Sequence, residues 1–216
     1  MRFLLATTNA GKAREIDAIL RTAGLDVSCE PRPTDVAPVD ETGDSLEANA
    51  RLKARAVRDA TGEATIADDT GLEVDALGGA PGVRSARFAG PDATDDDNVT
   101  LLLDRLDGVP LERRRARFVT VAVAAFPDGR ELAAIGEAEG TITSARRGTH
   151  GFGYDPVFLP DAGDGRTFAE LTRAEKDACS HRGDAFRTLA EGLRILDQAG
   201  HLDPPPGDGP GRREEV

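Results

Sequence analysis

Cysteine occurs only twice in the sequence, at Cys29 and Cys179, and histidine only three times. The cysteines stand far apart with no C-x-x-C, so a disulfide scaffold is not indicated and a reducing, cytoplasmic setting is expected. No His/Cys set has the spacing of a zinc site. No apolar run approaches the length of a membrane span, and no basic stretch followed by a long apolar one opens the chain. No membrane partner and no secretory signal are therefore expected. Other signatures are missing as well. Without G-x-S-x-G a serine hydrolase has no support, and without G-x-G-x-x-G after the first strand a Rossmann dehydrogenase has little. The P-loop string G-x-x-x-x-G-K-[ST] fails around Gly11-Lys12: Ala6 stands in for the first glycine and Ala13 follows the lysine. Aromatics are few and positive charge is outnumbered, 39 Asp and Glu against 27 Lys and Arg, for a formal net charge of −12. That balance repels a nucleic-acid backbone at long range, so no nucleic-acid partner is expected. A small phosphate ligand is still admissible, because a metal ion and a few local cations can reverse the field inside one cleft.

What is present suggests one domain over residues 1–200. Residues 201–216 contain "DPPPGDGPGRREEV", a tail of proline, glycine and charge that cannot pack a core and is expected to be disordered. An apolar strand, Phe3 to Ala6, breaks into a turn, and Gly11-Lys12 open a helix with Ile16, Ile19 and Leu20 on one face. Leu25 to Glu30 reads as a second strand. Asp44 to Glu47 resembles a capping box opening a helix to about Ala60, with Asn49 and Lys53 four apart on one face. Ala64 to Ala67 reads as a short strand ending in Asp68-Asp69 and a Thr70-Gly71 turn, and Leu72 to Leu77 as an extended segment. Thr94 to Asp97 start another helix. Phe118 to Phe126 and Leu132 to Ile142 form a hairpin about Pro127-Asp128-Gly129, and a last helix begins near Ser180. The order βαβα, hairpin, helix makes the class α/β with a mixed sheet.

Four stretches carry candidate chemistry. TTNAGK, Thr7 to Lys12, is a strand-turn-helix with lysine in the first helical turn, the arrangement that holds phosphates in many proteins. In "IADDTGLEVDA" two carboxylates, Asp68 and Asp69, sit at the expected strand end. Close carboxylates repel, and a hard cation such as Mg²⁺ relieves the repulsion with oxygen ligands, Glu41 being a further donor. The same pair reads equally as Asp68 capping a turn and Asp69 solvated. "GTHGFGYDPVF" lets the backbone approach a ligand, with Phe152 to stack on a planar base and Asp155 to read its edge; the alternative puts Phe152 and Phe158 in the core. Lys176 and Ser180-His181-Arg182 place donors at a helix start, although a capped helix with two solvated bases looks the same. Asp95-Asp96-Asp97 complement a helix dipole and are assigned no chemistry.

TTNAGK, DET with ENA..KAR, ADDTGL, GGAPGVRSARFAG, GFGYDPVF and LTRAEKDACSHR follow one another in an order and spacing that resemble the inosine/xanthosine triphosphate pyrophosphatases, from Met1 to about Ala199. The resemblance implies an elongated mixed-sheet α/β fold with flanking helices, two lobes around a central cleft, and a homodimer. It implies Mg²⁺-dependent hydrolysis of ITP, dITP or XTP to the monophosphate and pyrophosphate. By the same resemblance Thr7, Thr8, Asn9, Ala10, Gly11 and Lys12 form the phosphate turn, with Asn9 and Lys12 as its donors, and Lys53 faces the phosphates. Glu41 and Asp69 hold the metal, Asp69 also acting as base, with Asp68 in support and Thr70 touching substrate. Phe152, Gly153, Tyr154, Asp155, Lys176, His181 and Arg182 contact the nucleotide and its base. A related pyrophosphatase for dTTP-like or modified pyrimidine substrates, and a catalytically silent nucleotide-binding module, are the competing readings.

Overall fold

A computed structural model describes residues 1–199; the tail expected over residues 201–216 lies outside the described residues. Among these residues a seven-stranded mixed sheet runs in the order β2-β1-β3-β5-β6-β7, with the short β4 paired to β3. β1 (Arg2–Leu5) pairs in parallel with β2 (Ser28–Pro31) and with β3 (Thr65–Val74). All other pairs, among β4 (Pro81–Gly82), β5 (Arg115–Ala125), β6 (Glu131–Ile142) and β7 (Phe158–Pro160), are antiparallel. The mixed α/β class read from the sequence is the one found, and the β5-β6 hairpin turns at Pro127 to Gly129 as expected. β2 is shifted from the expected Leu25–Glu30, because Leu25 and Val27 pack on the core from the loop before it.

Alternation along the strands sends successive side chains to opposite faces. Phe3 and Leu5 of β1 go to one face, under α1 (Ala10–Thr22) and α5 (His181–Gln198); Leu4 goes to the other, under α2 (Leu46–Thr61). Helix starts follow their caps. Ser45, rather than Asp44, caps α2 through Ala48 N–H at 3.1 Å, and the helix start expected at Thr94 to Asp97 is α3 (Asp95–Arg105), where Thr94 and Asp97 close a capping box.

β3 differs most from expectation. It neither ends at Asp68-Asp69 nor turns at Thr70-Gly71, but pairs with β5 over its full length, from Thr65↔Ala125 to Val74↔Ala116. Gly71 serves close approach instead of a turn: a Cβ there would stand 2.7 Å from the carbonyl oxygen of Gly82 on β4. On the face under α1 and α5, the long strands run between two hydrophobic cores. Ile66, Ala122 and Ala134 belong to one, Leu72, Phe118 and Ala138 to the other. Between them on each strand stand polar or minimal residues: Asp68 and Thr70 on β3, Thr120 on β5, Gly136 on β6. The N-terminus of α5 enters this gap, next to Gly136. No helix among the described residues is long and apolar enough to cross a membrane.

A Cβ at Gly136 would collide with Ala185 N and His181 O, both backbone atoms of α5. Gly136→Ala is therefore expected to displace the start of α5 and lower the unfolding free energy by about 2 kcal/mol, as overpacking does. Urea denaturation measures this; a loss below about 0.5 kcal/mol means α5 is not seated by that contact.

Candidate active site

The chain leaves β1 at Ala6, whose N–H is held by Ile66 O at 2.8 Å. It turns through Thr7 to Asn9 into α1. β1 pairs with β3 only at Leu4↔Thr65 and Leu5↔Ile66, and β4 takes up pairing only at Leu72 and Glu73. The edge of β3 is thus open from Ala67 to Gly71, beside the turn. Asp68 and Asp69 point to opposite faces of one continuous strand and still serve one cleft, because the strand between them has an open edge.

Asn9 caps α1: its Oδ1 accepts from Gly11 N–H at 2.8 Å and Lys12 N–H at 3.1 Å, and Thr7 Oγ1 accepts from Asn9 N–H at 3.1 Å. The oxygen of Asn9 therefore shapes the turn, and only its amide nitrogen is a donor end for a ligand. Thr8 and Ala10 are exposed parts of the same turn. Lys12 reaches Asp68 at 3.1 Å. Burial lowers the Lys12 pKa, against the pull of Asp68.

Behind this turn lies a buried string of alternating charge. Arg182 Nη2 is 3.1 Å from Asp68 Oδ2 and its Nη1 is 2.6 Å from Glu15 Oε2; Lys176 Nζ is 2.9 Å from Glu15 Oε1 and 2.5 Å from Asp155 Oδ2. Lys176, on α4 (Arg173–Cys179), is 4% exposed, and His181 and Arg182 are each 2% exposed. The solvated-base reading of this segment is thereby overturned, since each cation is buried against carboxylates. Glu15 was not singled out in the sequence. Its signal was a carboxylate on the apolar face of α1, one residue before Ile16 and three after Lys12.

Across the strand, Lys53 of α2 bridges Asp69 at 2.7 Å and Glu41 at 2.8 Å, and Asn49 donates to Asp69 at 3.4 Å. Arg87, also missed in the sequence, lies 3.4 Å from Glu41. The pKa values of the two adjacent aspartates are shifted in opposite directions. Burial would raise both. At Asp68 the cations Lys12, Arg182 and Lys53 overcome it and hold the carboxyl far below its usual range. At Asp69 burial prevails over Lys53 and Lys12, and the pKa is raised. Burial also raises Asp155 against Lys176, and burial first, then Arg182, keeps His181 well below its ordinary value and neutral. Thr70 Oγ1 sits 3.0 Å from Arg182 and 2.8 Å from Thr120.

At the far end Phe158 is in the core, but Phe152 is not. Phe152 lines the cleft with Lys176 Nζ 4.9 Å and Arg182 Cζ 5.6 Å from its ring centroid. It lies over the first turn of α1, where a Cβ at Gly11 would stand 2.9 Å from the ring. Tyr154 is buried with its hydroxyl donated to Ser85 O at 2.9 Å, and His181 stacks on Phe118 at 4.4 Å. The cleft thus has a cationic, carboxylate-lined end and an aromatic end. Among the described residues no three His, Cys, Asp or Glu side chains cluster as a metal site. Glu41 and Asp69 nevertheless already share one cation, the Lys53 ammonium, and such a hard-oxygen pair suits Mg²⁺ that takes its remaining ligands from phosphates and water.

Fold and cleft define the class as a mixed-sheet α/β protein with a cleft for an anionic, planar ligand. The Ham1 family pattern matches residues 3–192. A dITP/XTP pyrophosphatase of Nitratidesulfovibrio vulgaris is 51% identical over 195 residues, 87% of this chain and 93% of the relative. One from Streptomyces coelicolor is 48% identical over 198 residues, 90% of this chain and 98% of the relative. The solved HAM1 protein from Coxiella burnetii superposes with a TM-score of 0.80 at 37% identity, covering 90% of this chain and 99% of that one. The chain belongs to the Ham1 family.

Because the folded pKa of Asp68 is depressed, its contribution to stability is full above the unfolded value of about 3.9 and is lost as pH falls through the folded value. Asp68→Asn is expected to cost about 3 kcal/mol at pH 7 by leaving buried cations undercompensated. The gap to the parent protein should narrow below about pH 4 in denaturation measured across pH. A pH-independent gap removes the electrostatic account.

Proposed function

We propose that the protein hydrolyses non-standard purine nucleoside triphosphates, dITP, XTP and ITP, to the monophosphate and pyrophosphate. The observation that carries this reading is one cleft whose two ends suit the two ends of such a substrate. The Asp69-Lys53-Glu41 cluster and the Lys12 turn lie at one end, and Phe152 with Lys176, His181 and Arg182 at the other. The names of the relatives support it.

In this reading the triphosphate meets Lys12, the amide nitrogen of Asn9 and the N–H groups of Thr8 and Ala10, since those of Asn9, Gly11 and Lys12 are already given to Thr7 and Asn9 oxygens, with Lys53 facing it across the edge of β3. Glu41 and Asp69 would hold Mg²⁺, with Asp68 in support; bound there, the ion polarises phosphoryl oxygen and water. Asp69 accepts the proton of the water that attacks the α-phosphorus. The α-phosphorus bond to the bridging oxygen breaks, and pyrophosphate departs with its charge neutralised by the lysines. Asp69 suits this work because its raised pKa makes it a better proton acceptor than Asp68. Thr70 serves by fixing Arg182 and Thr120.

The base stacks on Phe152, with Gly153 and Tyr154 shaping the turn that holds the ring. Lys176 gives two of its three N–H bonds to Glu15 and Asp155, so one donor is left for a 6-oxo group. His181, neutral, adds a ring N–H rather than a charge. Adenine offers an amino donor where these donors need an acceptor, a mismatch that discriminates by about 10⁴-fold in a buried polar site.

Pyrophosphate release from purified protein with Mg²⁺ tests the reading. ITP, XTP and dITP should be fast and ATP, GTP and dTTP slow, and a chelator should stop the reaction. Comparable turnover of GTP or dTTP defeats the substrate assignment, orthophosphate as product defeats the bond assignment, and no turnover leaves a binding module. Asp69→Asn should lower kcat by at least about 10²-fold, the low end for a positioned base.

A further inference from the structure

The run Asp95-Asp96-Asp97 at the start of α3 is more than a charge complement to the helix dipole. Its three carboxylates have three separate partners. Asp97 Oδ2 accepts from Thr94 N–H at 2.9 Å and closes the capping box. Asp96 Oδ1 pairs with Arg146 at 2.9 Å, and Arg146 also donates to Thr100 Oγ1 at 2.7 Å. Asp95 Oδ2 accepts the backbone N–H of Gly153 at 2.7 Å, across 58 positions of sequence. The first turn of α3 therefore grips the 146–153 segment at both ends.

Gly153 follows Phe152, and at φ +60° it occupies the left-handed region that lets the chain reverse there. Two further hydrogen bonds hold this turn: Phe152 N–H donates to Asp155 Oδ2 at 2.9 Å within it, and Tyr154 Oη donates to Ser85 O at 2.9 Å outside it. Asp95 alone among these groups brings a formal charge from another element to the backbone beside Phe152, and it lines the same cleft. A carboxylate accepting a backbone N–H is among the stronger protein hydrogen bonds. Because the helix keeps its own cap through Thr94 and Asp97, this bond is not needed to hold α3 together.

We propose that Asp95 is a positioning residue for nucleobase recognition: it clamps the Phe152-Gly153 turn to α3 and holds the Phe152 ring over the cleft. The clamp rests on the stacking role given to Phe152 above. Asp95 acts through Phe152 on binding and not on the phosphorus, so its loss falls on KM and spares kcat.

Steady-state kinetics with ITP on Asp95→Ala, Asp95→Asn, Phe152→Ala and the Asp95→Ala/Phe152→Ala double variant test this. Asp95→Ala should raise KM about 10-fold, the scale of one charge-assisted hydrogen bond, with kcat lowered less than about threefold. Asp95→Asn keeps an acceptor oxygen and should recover most of that loss. The double variant should match Phe152→Ala, because a clamp has no effect once the ring it holds is gone. If Phe152→Ala leaves KM in place, the stacking reading falls and the clamp falls with it. If Phe152→Ala raises KM while Asp95→Ala does not, the clamp alone is refuted. Full additivity in the double variant, or a loss confined to kcat, also refutes it.

Discussion

Among the described residues the carboxylates, the lysine and the guanidinium buried behind the cleft each have a partner of opposite sign, and that constraint governs the arrangement of the rest. Asp155, Lys176, Glu15, Arg182, Asp68 and Lys12 alternate in sign along a string drawn from the 152–155 turn, α4, α1, α5, β3 and the start of α1. Removing a charge from water is expensive, and a buried carboxylate or guanidinium is tolerable only with its partners in place. Each of those elements therefore has to dock in register with the others before any of these side chains is satisfied. The string also spans the cleft, joining the Phe152 end to the Thr7–Lys12 turn, so the same interactions that hold the elements together set the geometry of both ends.

β3 supplies the second organising fact. It is one uninterrupted strand whose face changes from one hydrophobic core to the other at Asp68 and Thr70. Its open edge brings neighbouring carboxylates from opposite faces to one site. The face under α1 and α5 supplies Lys12 and Arg182, and the face under α2 supplies Lys53 and Asn49. Two adjacent aspartates acquire opposite proton affinities because their faces hold different numbers of cations. That difference leaves Asp68 with a lowered pKa and Asp69, its neighbour in sequence, with a raised one.

Much of this was legible in the sequence, and the failures have physical causes. Local rules located the β1-turn-α1 unit, the start of α3 and the β5-β6 hairpin, since caps and alternation depend on neighbours in sequence. The strand end expected at Asp68 was wrong because a polar pair and a glycine resemble a turn when the partner strand is out of view. Gly71 is small to admit Gly82, a residue eleven positions on. Lys176, His181 and Arg182 looked solvated because their partners, Glu15, Asp68 and Asp155, are distant in sequence. Asp95 looked like one of three equivalent helix-start aspartates for the same reason.

The sequence by itself determined the class of fold, the family and the inventory of reactive groups, because residue types, their periodicity and strings such as TTNAGK and GFGYDPVF are all written in linear order. Only the tertiary structure decided which of those groups are buried, which pair and which carboxylate has the raised proton affinity. Those properties depend on desolvation and on charges brought within a few ångströms by elements far apart along the chain, and neither distance nor dielectric is written in a linear order of residues.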